Sequence, residues 1–407
     1  MATPSFSASP VILLLAFTSL FCKGASKTYW RDIQVLSQLK QKSTQTRYSP
    51  NIYTEKFTCG ISCDVVSGGI SRVTEITLDQ AGYSGAISST YWNLPFLRTL
   101  ELSGNNFSGS IPDSLSKLAS LQKLSLSSNS LTGSIPDSLG SLTGLEEAYL
   151  DNNGLQGQIP PSFNGLVNVK RFEIQGNKLN GEFPELSGLN SLYFFDASDN
   201  AISGLIPMKF PASLVELSMR NNYLQGSIPE SIRNLGFLQV FDLSHNQLTG
   251  SIPASLFTHP SLQQLTLSNN QFSSVQSPGN PQTQSPLIAI DLSNNELGGL
   301  LPGFFGLMPK LSALSLENNR FTGLIPTQYA LKTVAPEPNI APFERLLLGG
   351  NYLIGPIPYP LLGLKPGSAN VDLAGNCLFR CPTIFFFCQG GDQKSLMECK
   401  SFAPVIP

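Results

Sequence analysis

Charged side chains are scarce in this sequence. Lys, Arg, Asp and Glu make up 13% of its 407 residues, about half of the share that soluble proteins usually carry. The formal net charge is −2 and there is no long basic run, which argues against a nucleic-acid or membrane-surface binder. The sequence has only two histidines and carries no nucleophile-elbow, Walker, H-E-x-x-H or G-x-G-x-x-G motif. We therefore predict no catalytic residue, no metal site, no cofactor and no enzymatic activity.

Long apolar runs are also lacking, apart from one near the start of the chain. Val11–Phe21 (VILLLAFTSLF) is shorter than the roughly 18 residues of a membrane-spanning helix. Small residues follow at Gly24, Ala25 and Ser26, a pattern that predicts a secretory signal peptide at residues 1–24. A buried N-terminal helix is the alternative. We accordingly expect a secreted protein without a membrane span, located in the extracellular space or the cell wall.

Six cysteines remain after that segment, and they cluster toward the two ends of the chain: Cys59, Cys63, Cys377, Cys381, Cys388 and Cys399. An even number of cysteines in a secreted chain predicts disulfide bonds. Zinc is the alternative for such clusters, but no histidine lies near either of them and the spacing is unlike that of a zinc ribbon. The four C-terminal cysteines allow three pairings, and the sequence does not choose among them.

The sequence is rich in one repeated pattern. The segment Leu100–Pro112 (LELSGNNFSGSIP) returns almost unchanged at Leu124–Pro136 and in eight further copies. Counted by one recurrent Asn, which stands at twelve positions, and with a degenerate first copy at Ile76–Ile87 that lacks it, the repeats number about thirteen. An Asn recurs at the same place, at positions 105, 129, 153, 177, 200, 222, 246, 270, 295, 319, 351 and 376. Most intervals are 24 residues, and a repeat array of this kind grows without needing a new core.

Each residue type of the repeat has a physical role. Leu-x-Leu predicts a short strand with inward apolar side chains, and successive strands are expected to stack as a parallel sheet. The recurrent Asn is expected to bond backbone groups of neighbouring turns, since each buried group left unpaired costs about 1–3 kcal/mol. In G-x-I-P, Gly permits the unusual dihedral angles of the turn and Pro fixes one of them.

The 24-residue form with L-x-G-x-I-P resembles the plant-specific class of leucine-rich repeats, found in receptor kinase ectodomains, receptor-like proteins and polygalacturonase-inhibiting proteins. Trp30–Lys40 (WRDIQVLSQLK), with the spacing of an amphipathic helix, resembles the opening of the N-terminal cap of that class. Cys59-x3-Cys63 resembles its closing cysteine pair, and Asn376–Gly391 resembles the tail of secreted receptor-like proteins. The resemblance implies an α/β repeat solenoid, a curved leucine-rich-repeat superhelix with a parallel β-sheet on its concave face and disulfide caps at both ends. Since the chain stops at Pro407 without either of them, we expect no kinase domain and no transmembrane domain.

The predicted organisation has four parts: a signal peptide at 1–24, an N-terminal cap at 25–71, the repeats at 72–376 and a Cys-rich C-terminal cap at 377–407. Two segments depart from the repeat. Ser274–Pro286 replaces G-x-I-P by a Pro-rich polar stretch, and Tyr329–Pro342 holds about eight extra residues. We interpret both as tolerated surface variation, with ligand-binding loops as the alternative.

The residues that flank Leu-x-Leu are predicted to point to the concave face, because side chains alternate along a strand. Most are small and polar, but the copies between Asn153 and Asn222 carry charged and aromatic residues of the kinds that contribute interface energy. We predict one ligand-binding patch, with an ordinary solvated face as the alternative, made of Glu147, Tyr149, Asp151, Arg171, Glu173, Lys178, Phe194, Asp196, Asp199, Glu216, Arg220 and Tyr223.

Asn106 belongs to an N-x-S/T sequon, Asn106-Phe107-Ser108. In a secreted chain this predicts glycosylation at Asn106. The glycan is expected to shield the N-terminal end of the concave face.

The leading hypothesis is a secreted recognition protein that binds a protein, peptide or wall glycan through its concave face, in defence or signalling beside a receptor kinase. The resemblance adds a second role, inhibition of a microbial wall-degrading enzyme. A structural component of the cell wall or matrix is the alternative class. The expected partners are therefore an extracellular protein, peptide or polysaccharide, including a receptor kinase ectodomain or a microbial wall-degrading enzyme, and no nucleic acid.

Overall fold

The computed structural model describes residues 29–42, 44–45, 60–67, 70–78, 80–279 and 285–402. The chain divides into two compact units, Met1–Leu179 and Asn180–Pro407. Each unit is a stack of repeats that contribute one strand to each of two sheets. The predicted signal peptide, residues 1–24, lies outside the described residues, as does Cys59.

The Leu-x-Leu segments form what we call the main sheet of each unit. In the first unit an antiparallel pair opens this sheet, and the later strands add in parallel, one per repeat. The middle residue of each three-residue strand is buried, because alternation turns it toward the core. The strands are Gly60–Ser67, Ile70–Thr77, Thr99–Glu101, Lys123–Ser125, Glu147–Tyr149 and Arg171–Glu173.

The main sheet of the second unit is parallel throughout its eight strands. The buried middle residues, such as Phe195, Leu217 and Phe241, form one side of the core. The strands are Phe194–Asp196, Glu216–Ser218, Val240–Asp242, Gln264–Thr266, Ala289–Asp291, Ala313–Ser315, Arg345–Leu347 and Asn370–Asp372.

A second strand follows the recurrent Asn in each repeat and builds what we call the lateral sheet. In the first unit its strands are Thr44–Gln45, Tyr83–Ala86, Asn106–Ser110, Ser130–Ser134, Gly154–Gly157 and the start of Lys178–Glu182. In the second unit they are the end of Lys178–Glu182, then Ala201–Leu205, Tyr223–Gly226, Gln247–Ile252 and Gln271–Val275. A separate lateral sheet follows, made of Gly298–Leu300, Arg320–Gly323, Tyr352–Gly355 and Cys377–Leu378.

The lateral sheet of the second unit is thus interrupted between Gln271–Val275 and Gly298–Leu300. The main sheet is continuous there, since Gln264–Thr266 pairs with Ala289–Asp291. The interruption coincides with Ser274–Pro286, where the G-x-I-P turn is replaced, and part of that stretch (280–284) lies outside the described residues. Loss of the turn therefore breaks one sheet and leaves the other intact.

Short helices follow the G-x-I-P turns, and a Pro in extended conformation stands at the N-cap of most of them. Their buried apolar residues, for example Leu115, Leu139 and Ile232, close the core on the side of these helices. The 3-10 helices are Ile87–Ser89, Asp113–Lys117, Asp137–Ser141, Pro161–Gly165, Glu230–Asn234, Gly303–Leu307, Tyr359–Gly363 and Phe386–Cys388. The α-helices are α1 (Trp30–Lys42), α2 (Ala254–Phe257), α3 (Thr327–Val334) and α4 (Leu396–Phe402).

The recurrent Asn side chains form a hydrogen-bonded ladder inside the stack. Asn351, which is fully buried, donates from Nδ2 to the carbonyls of Leu316 at 2.9 Å, Leu348 at 3.0 Å and Gly349 at 3.3 Å. Its Oδ1 accepts the N–H of Phe321 at 3.1 Å. The expected bonding to neighbouring turns is confirmed, and one side chain satisfies four backbone groups that burial would otherwise leave unpaired.

At the N-terminal end, α1 is anchored by a buried ion pair. The Asp32 carboxylate, 1% exposed, accepts hydrogen bonds from Nε and Nη2 of Arg72 and from the N–H of Val73, each at 3.0 Å. The Arg72 guanidinium lies between the rings of Tyr29 and Phe96, 4.4 and 4.3 Å from their centroids. The main strand Ile70–Thr77 and α1 are therefore joined by a charge pair that stands beside two aromatic rings.

At the C-terminal end, disulfide bonds join Cys377 to Cys399 and Cys381 to Cys388. This resolves the three pairings that the sequence left open. At the other end Cys63 is also disulfide-bonded. Disulfides are thus confirmed near the C-terminal end, where Cys377–Cys399 ties α4 to the last lateral strand.

Further contacts hold α4 in place. Lys394 Nζ donates to the carbonyl of Asn351 at 2.7 Å and to that of Gly375, and it lies 4.7 Å from the ring centroid of Tyr352. The ring of Phe402 stacks on the same tyrosine at 4.0 Å. The last helix therefore covers the end of the stack through both a cation and an aromatic ring.

Surface variation is the wrong interpretation for the first part of Tyr329–Pro342. Its residues continue α3, and the Tyr329 side chain is fully buried with its hydroxyl donating to the Pro302 carbonyl at 2.8 Å. Lys332 is also buried, donates from Nζ to the Met308 carbonyl at 2.7 Å, and has its pKa lowered to about 8 by that burial. The following stretch, 334–339, is exposed, as are Leu331 and Pro342.

Candidate functional site

Part of the residues predicted to line the concave face lie on the outer face of the main sheet, the side opposite the buried middle residues. In the first unit these are Glu147, Tyr149, Arg171 and Glu173. Arg171 stands opposite Glu147 and Glu173 opposite Tyr149 in the parallel register. Lys123 stands opposite Glu147 on the other side. Neighbouring strands are about 4.8 Å apart, so the structure brings these side chains together.

Lys123 lies at the centre of this group. Its Nζ is 3.4 Å from Oε2 of Glu101, 3.9 Å from Oε2 of Glu147 and 5.4 Å from the ring centroid of Tyr149. The Tyr149 hydroxyl donates to Oε2 of Glu147 at 3.1 Å. Sequence reasoning missed Lys123 and Glu101, although both flank a Leu-x-Leu core and carried the signal by which Glu147 was chosen.

Tyr149 keeps its proton across the physiological range. Burial and, next in size, the neighbouring Glu147 carboxylate together raise the pKa of its hydroxyl to about 12. The phenol therefore acts as a neutral donor to a carboxylate, and its ring offers an aromatic surface beside the Lys123 ammonium.

Three predicted residues of the first unit form bonds with side chains near them. Nε of Arg171 lies 2.5 Å from Oε1 of Glu173, whose Oε2 accepts a hydrogen bond from Gln175 at 2.9 Å. Asp151 is buried and accepts hydrogen bonds from the Ser127 hydroxyl and from Asn152, the latter at 2.7 Å. Arg171 and Glu173 remain partly exposed on the outer face, whereas Asp151 is an internal acceptor.

Lys178, Tyr223 and Asn106 lie on the lateral sheet, so their predicted placement on the concave face is wrong. Each follows a ladder Asn, after the chain has turned into the second strand of its repeat. All three side chains are exposed there. A glycan on Asn106 would consequently cover the lateral sheet of the first unit and leave the outer face of the main sheet free.

In the second unit the predicted residues make a sparser surface. Phe194 stands opposite Glu216 in the register of the main sheet, and Arg220 forms an ion pair with Asp199 at 2.9 Å. Asp196 accepts the backbone N–H of Ser198 at 2.9 Å. The grouping of all twelve residues into one patch stays a prediction.

Several carboxylates of the second unit close the turn after their own strand. Asp242 accepts the N–H of Ser244 at 2.9 Å, and Asp291 accepts that of Ser293 at 3.0 Å. Asp372 does the same for the residue two positions later at 2.9 Å. Burial raises the pKa of Glu317, and the nearby Asp372 carboxylate raises it further. These acids have a local role in the fold that sequence reasoning did not foresee.

Metal and membrane chemistry gain no support from the described ranges. Within them, no group of three or more His, Cys, Asp or Glu side chains is arranged to hold a metal ion. In the same part of the chain, every helix is too short or too polar to cross a bilayer. His259 is buried, with Nδ1 accepting the N–H groups of Ser261 at 3.3 Å and Leu262 at 3.2 Å, and burial lowers its pKa.

Comparisons with known proteins agree with this architecture. A leucine-rich-repeat family model matches residues 95–155 and 212–272, and a second one matches residues 286–308. The plant peptide hormone receptor RGFR1, solved in complex with RGF2, is 30% identical with a TM-score of 0.69, over 75% of this chain and 48% of the receptor chain.

Two further solved structures are similar. The ectodomain of the receptor kinase GASSHO1/SCHENGEN3 from Arabidopsis thaliana, in complex with CASPARIAN STRIP INTEGRITY FACTOR 2, is 27% identical with a TM-score of 0.54, over 88% of this chain and 52% of that one. A leucine-rich-repeat protein of Leptospira interrogans is 26% identical with a TM-score of 0.54, over 75% of this chain and 70% of that one.

The chain spans about half the length of the two plant receptor chains that it resembles. Comparison with curated proteins finds no match. The stacked parallel strands, the family matches and the structural similarity together confirm the predicted fold class. The chain contains leucine-rich repeats and folds as a leucine-rich-repeat solenoid similar to plant receptor ectodomains.

Proposed function

We propose that this protein is a secreted recognition protein without catalytic activity, which binds an extracellular peptide or protein segment through the outer face of its main sheet. The observation that carries the proposal is the group formed by Glu101, Lys123, Glu147 and Tyr149 in the first unit. The neighbouring Arg171–Glu173 pair extends that group by one strand.

The chemistry of this group suits a polar polypeptide. Side chains of both signs alternate across neighbouring strands, and each is held in place by another side chain of the group. Lys123 and Glu147 remain 39% and 40% exposed, so a ligand has access to both. Exchange of an exposed ion pair for a pair with the ligand costs little, because exposed pairs contribute only about 0–1 kcal/mol. Tyr149 and Arg171 are residue types that anchor interfaces.

The structural relatives support a peptide ligand. RGFR1 is described as a peptide hormone receptor, and its structure was solved with RGF2. Wall glycans, a receptor kinase ectodomain and a microbial wall-degrading enzyme are the other partners that the repeat class suggests. These partners, and the alternative of a structural wall component, are separated by the test below.

The test is a capture experiment with extracellular extract and mass spectrometry of the bound material. The face variant carries Lys123→Ser, Tyr149→Ser and Arg171→Ser. The matched control carries Glu296→Ser and Arg320→Ser, which remove an exposed ion pair at 3.1 Å in the second unit. We expect the parent and the control to capture the same peptide, and the face variant to retain about a tenth of it or less, a loss of roughly 1.4 kcal/mol or more.

Equal capture by all three folded proteins would place the ligand elsewhere and overturn the proposal. Saturable binding to wall polysaccharide, with no peptide or protein captured, would favour the structural wall component. Capture of an intact wall-degrading enzyme, with loss of its activity, would identify an inhibitor instead.

A further inference from the structure

An apolar pocket of about 500 Å³ opens in the C-terminal cap of the second unit. Its lining includes the apolar side chains of Ile357, Leu362, Phe379 and Phe385. Arg380 is the single charged residue among the lining residues. Phe379 follows the last strand of the lateral sheet, so this pocket belongs to the lateral side of the repeats and not to the outer face of the main sheet.

A backbone hydrogen bond and a disulfide hold the walls of the pocket in place before any ligand binds. The N–H of Phe379 donates to the Gly355 carbonyl at 3.0 Å, which extends the pairing of the last two lateral strands. The disulfide Cys381–Cys388 closes the loop that carries Phe385, and the Phe385 ring stacks on that of the buried Phe387 at 5.3 Å. An occupant therefore enters a preformed cavity, which avoids the ordering cost of assembling one.

An exposed apolar track leads along the lateral sheet to this pocket. Leu300 and Leu324 are 72% and 62% exposed, although each lies within a strand or directly after one. The Leu300 side chain lies over Gly323 and that of Leu324 over Gly355, where glycine leaves room for it. Phe379, at the pocket, is 68% exposed. Large apolar side chains in a contiguous exposed row are typical of a surface that another molecule covers.

The charge at the pocket indicates what the occupant carries. Arg380 is exposed, and no carboxylate of the described part of the chain forms an ion pair with it. A guanidinium beside an apolar cavity recognises a carboxylate through paired N–H donors, and it does so more strongly where the cavity excludes water.

We propose that this pocket and the apolar track form a docking site for an extended segment of a partner protein, one that presents a large apolar side chain followed by a carboxylate. The apolar side chain fills the cavity beside Phe379 and Phe385, and the carboxylate pairs with Arg380. From Leu324 to Phe379 the sheet advances by two strand spacings, about 10 Å, which is the reach of roughly three extended residues. Because the pocket lies on the lateral side of the repeats, a partner segment docked there does not compete with a ligand on the outer face of the main sheet.

The test uses defined probes of the same chemistry. Anilinonaphthalene sulfonate, an apolar anion whose fluorescence rises on burial, reports occupancy of the pocket. Two blocked tetrapeptides, Gly-Phe-Glu-Gly and Gly-Phe-Lys-Gly, then compete with it. We expect the parent protein to bind the dye and the Glu peptide to displace it about tenfold more effectively than the Lys peptide.

Two pocket variants and two matched controls complete the design. Arg380→Glu and Phe379→Ser are each expected to weaken dye binding about tenfold or more. Arg233→Glu changes another exposed arginine of the second unit, and Leu205→Ser removes an exposed leucine of its other lateral sheet. Both controls are expected to bind as the parent does. Circular dichroism and a thiol assay confirm that each protein is folded with its disulfides formed.

Dye binding that is absent in the parent, or unchanged in Arg380→Glu, would overturn the proposal. Equal displacement by the two peptides would also overturn it, because the carboxylate would then have no role. Self-association of the parent that Phe379→Ser abolishes and Arg380→Glu leaves intact would assign the track to a second copy of this chain instead.

Discussion

At the N-terminal end of the repeats, α1 is held to the main strand Ile70–Thr77 by the buried pair of Asp32 and Arg72. At the C-terminal end, α4 is held to the last lateral strand by the disulfide between Cys377 and Cys399. Both devices cover apolar residues that an open end would expose, such as Val35 and Leu36 at the first end and Leu378 at the other.

The ion pair and the disulfide stabilise the two helices by different physical means. A buried ion pair contributes little compared with a well-packed apolar pair, but loss of one partner leaves an uncompensated charge and is costly. A disulfide acts mainly by restricting the unfolded chain, so that its contribution follows the length of the loop that it closes. The attachment of α1 is therefore sensitive to a single substitution, and that of α4 to the redox state of the Cys377–Cys399 pair.

The largest effect is expected from Asp32→Ala. This change leaves the guanidinium of Arg72 without its partner and the N–H of Val73 without an acceptor, which should lower the free energy of opening of the N-terminal cap by about 3–5 kcal/mol. Hydrogen exchange along Ile70–Thr77 measures this. Asp64→Ala, in the same cap, removes an exposed pair with Arg98 and should change exchange by no more than about 0.5 kcal/mol. Similar effects of the two substitutions would contradict the assignment of Asp32 as the anchor.

The next largest effect is expected from Cys377→Ser combined with Cys399→Ser. The sequence separation of this pair is 22 and that of Cys381–Cys388 is 7. From loop-closure entropy we expect the free energy of unfolding to fall by about 3 kcal/mol when the first pair is removed. Removal of the second pair in the same way should lower it by about 2 kcal/mol. Urea unfolding of the two double variants, each against the parent, measures the difference. A larger loss of stability on removal of Cys381–Cys388 would show that contacts within the loop, and not its length, determine how much each disulfide stabilises the protein.

The smallest effect is expected from Lys394→Met, which removes the cation that bonds two carbonyls beside α4. We expect the free energy of unfolding to fall by only about 1 kcal/mol near neutral pH, since part of the Lys394 side chain is solvent-exposed. Burial lowers the Lys394 pKa, so that the folded state binds fewer protons than the unfolded state below the ordinary value of 10.5. The free energy of unfolding should therefore rise with pH as this value is approached.

Urea unfolding of the parent and of Lys394→Met, between about pH 7 and pH 10, checks this sign because lysines titrate above that range when unperturbed. The variant should show a flatter pH dependence than the parent. The same slope in both proteins would mean that Lys394 does not carry the dependence.

The repeats could be predicted from the sequence because the same pattern of residues occurs in each of them. The inward position of Asn351 and the turn after Gly355 recur in most other repeats of the chain. Residues within the repeat itself determine both features. The partner of Asp32 was not accessible, since Arg72 stands 40 residues away and nothing local links the two. The first part of Tyr329–Pro342 was wrongly interpreted as surface variation for a related reason. Extra residues break the repeat period, and the period carries no information about what they pack against.

The candidate site was only partly accessible. Glu147 and Arg171 were found from alternation along a strand, and the same rule applied without exception would have added Lys123. Lys178 and Tyr223 were misplaced because the rule was extended past the ladder Asn, where the chain enters the lateral sheet. Alternation predicts which side of a strand a residue takes, but it does not say where one strand ends and the next begins.

The interruption of the lateral sheet has a consequence for cooperativity. In an array whose stability is a sum of neighbour terms, each junction couples the unfolding of one repeat to that of the next. Between Gln271–Val275 and Gly298–Leu300 the lateral strands do not pair. Besides the main sheet, local bonds cross the junction: the Glu296 N–H donates to the Phe272 carbonyl at 3.0 Å, and Asn295 bonds to Leu267 and Phe272. The second unit thus contains one weakened link, where partial unfolding is able to stop and where repeats can be gained or lost at the least cost to their neighbours.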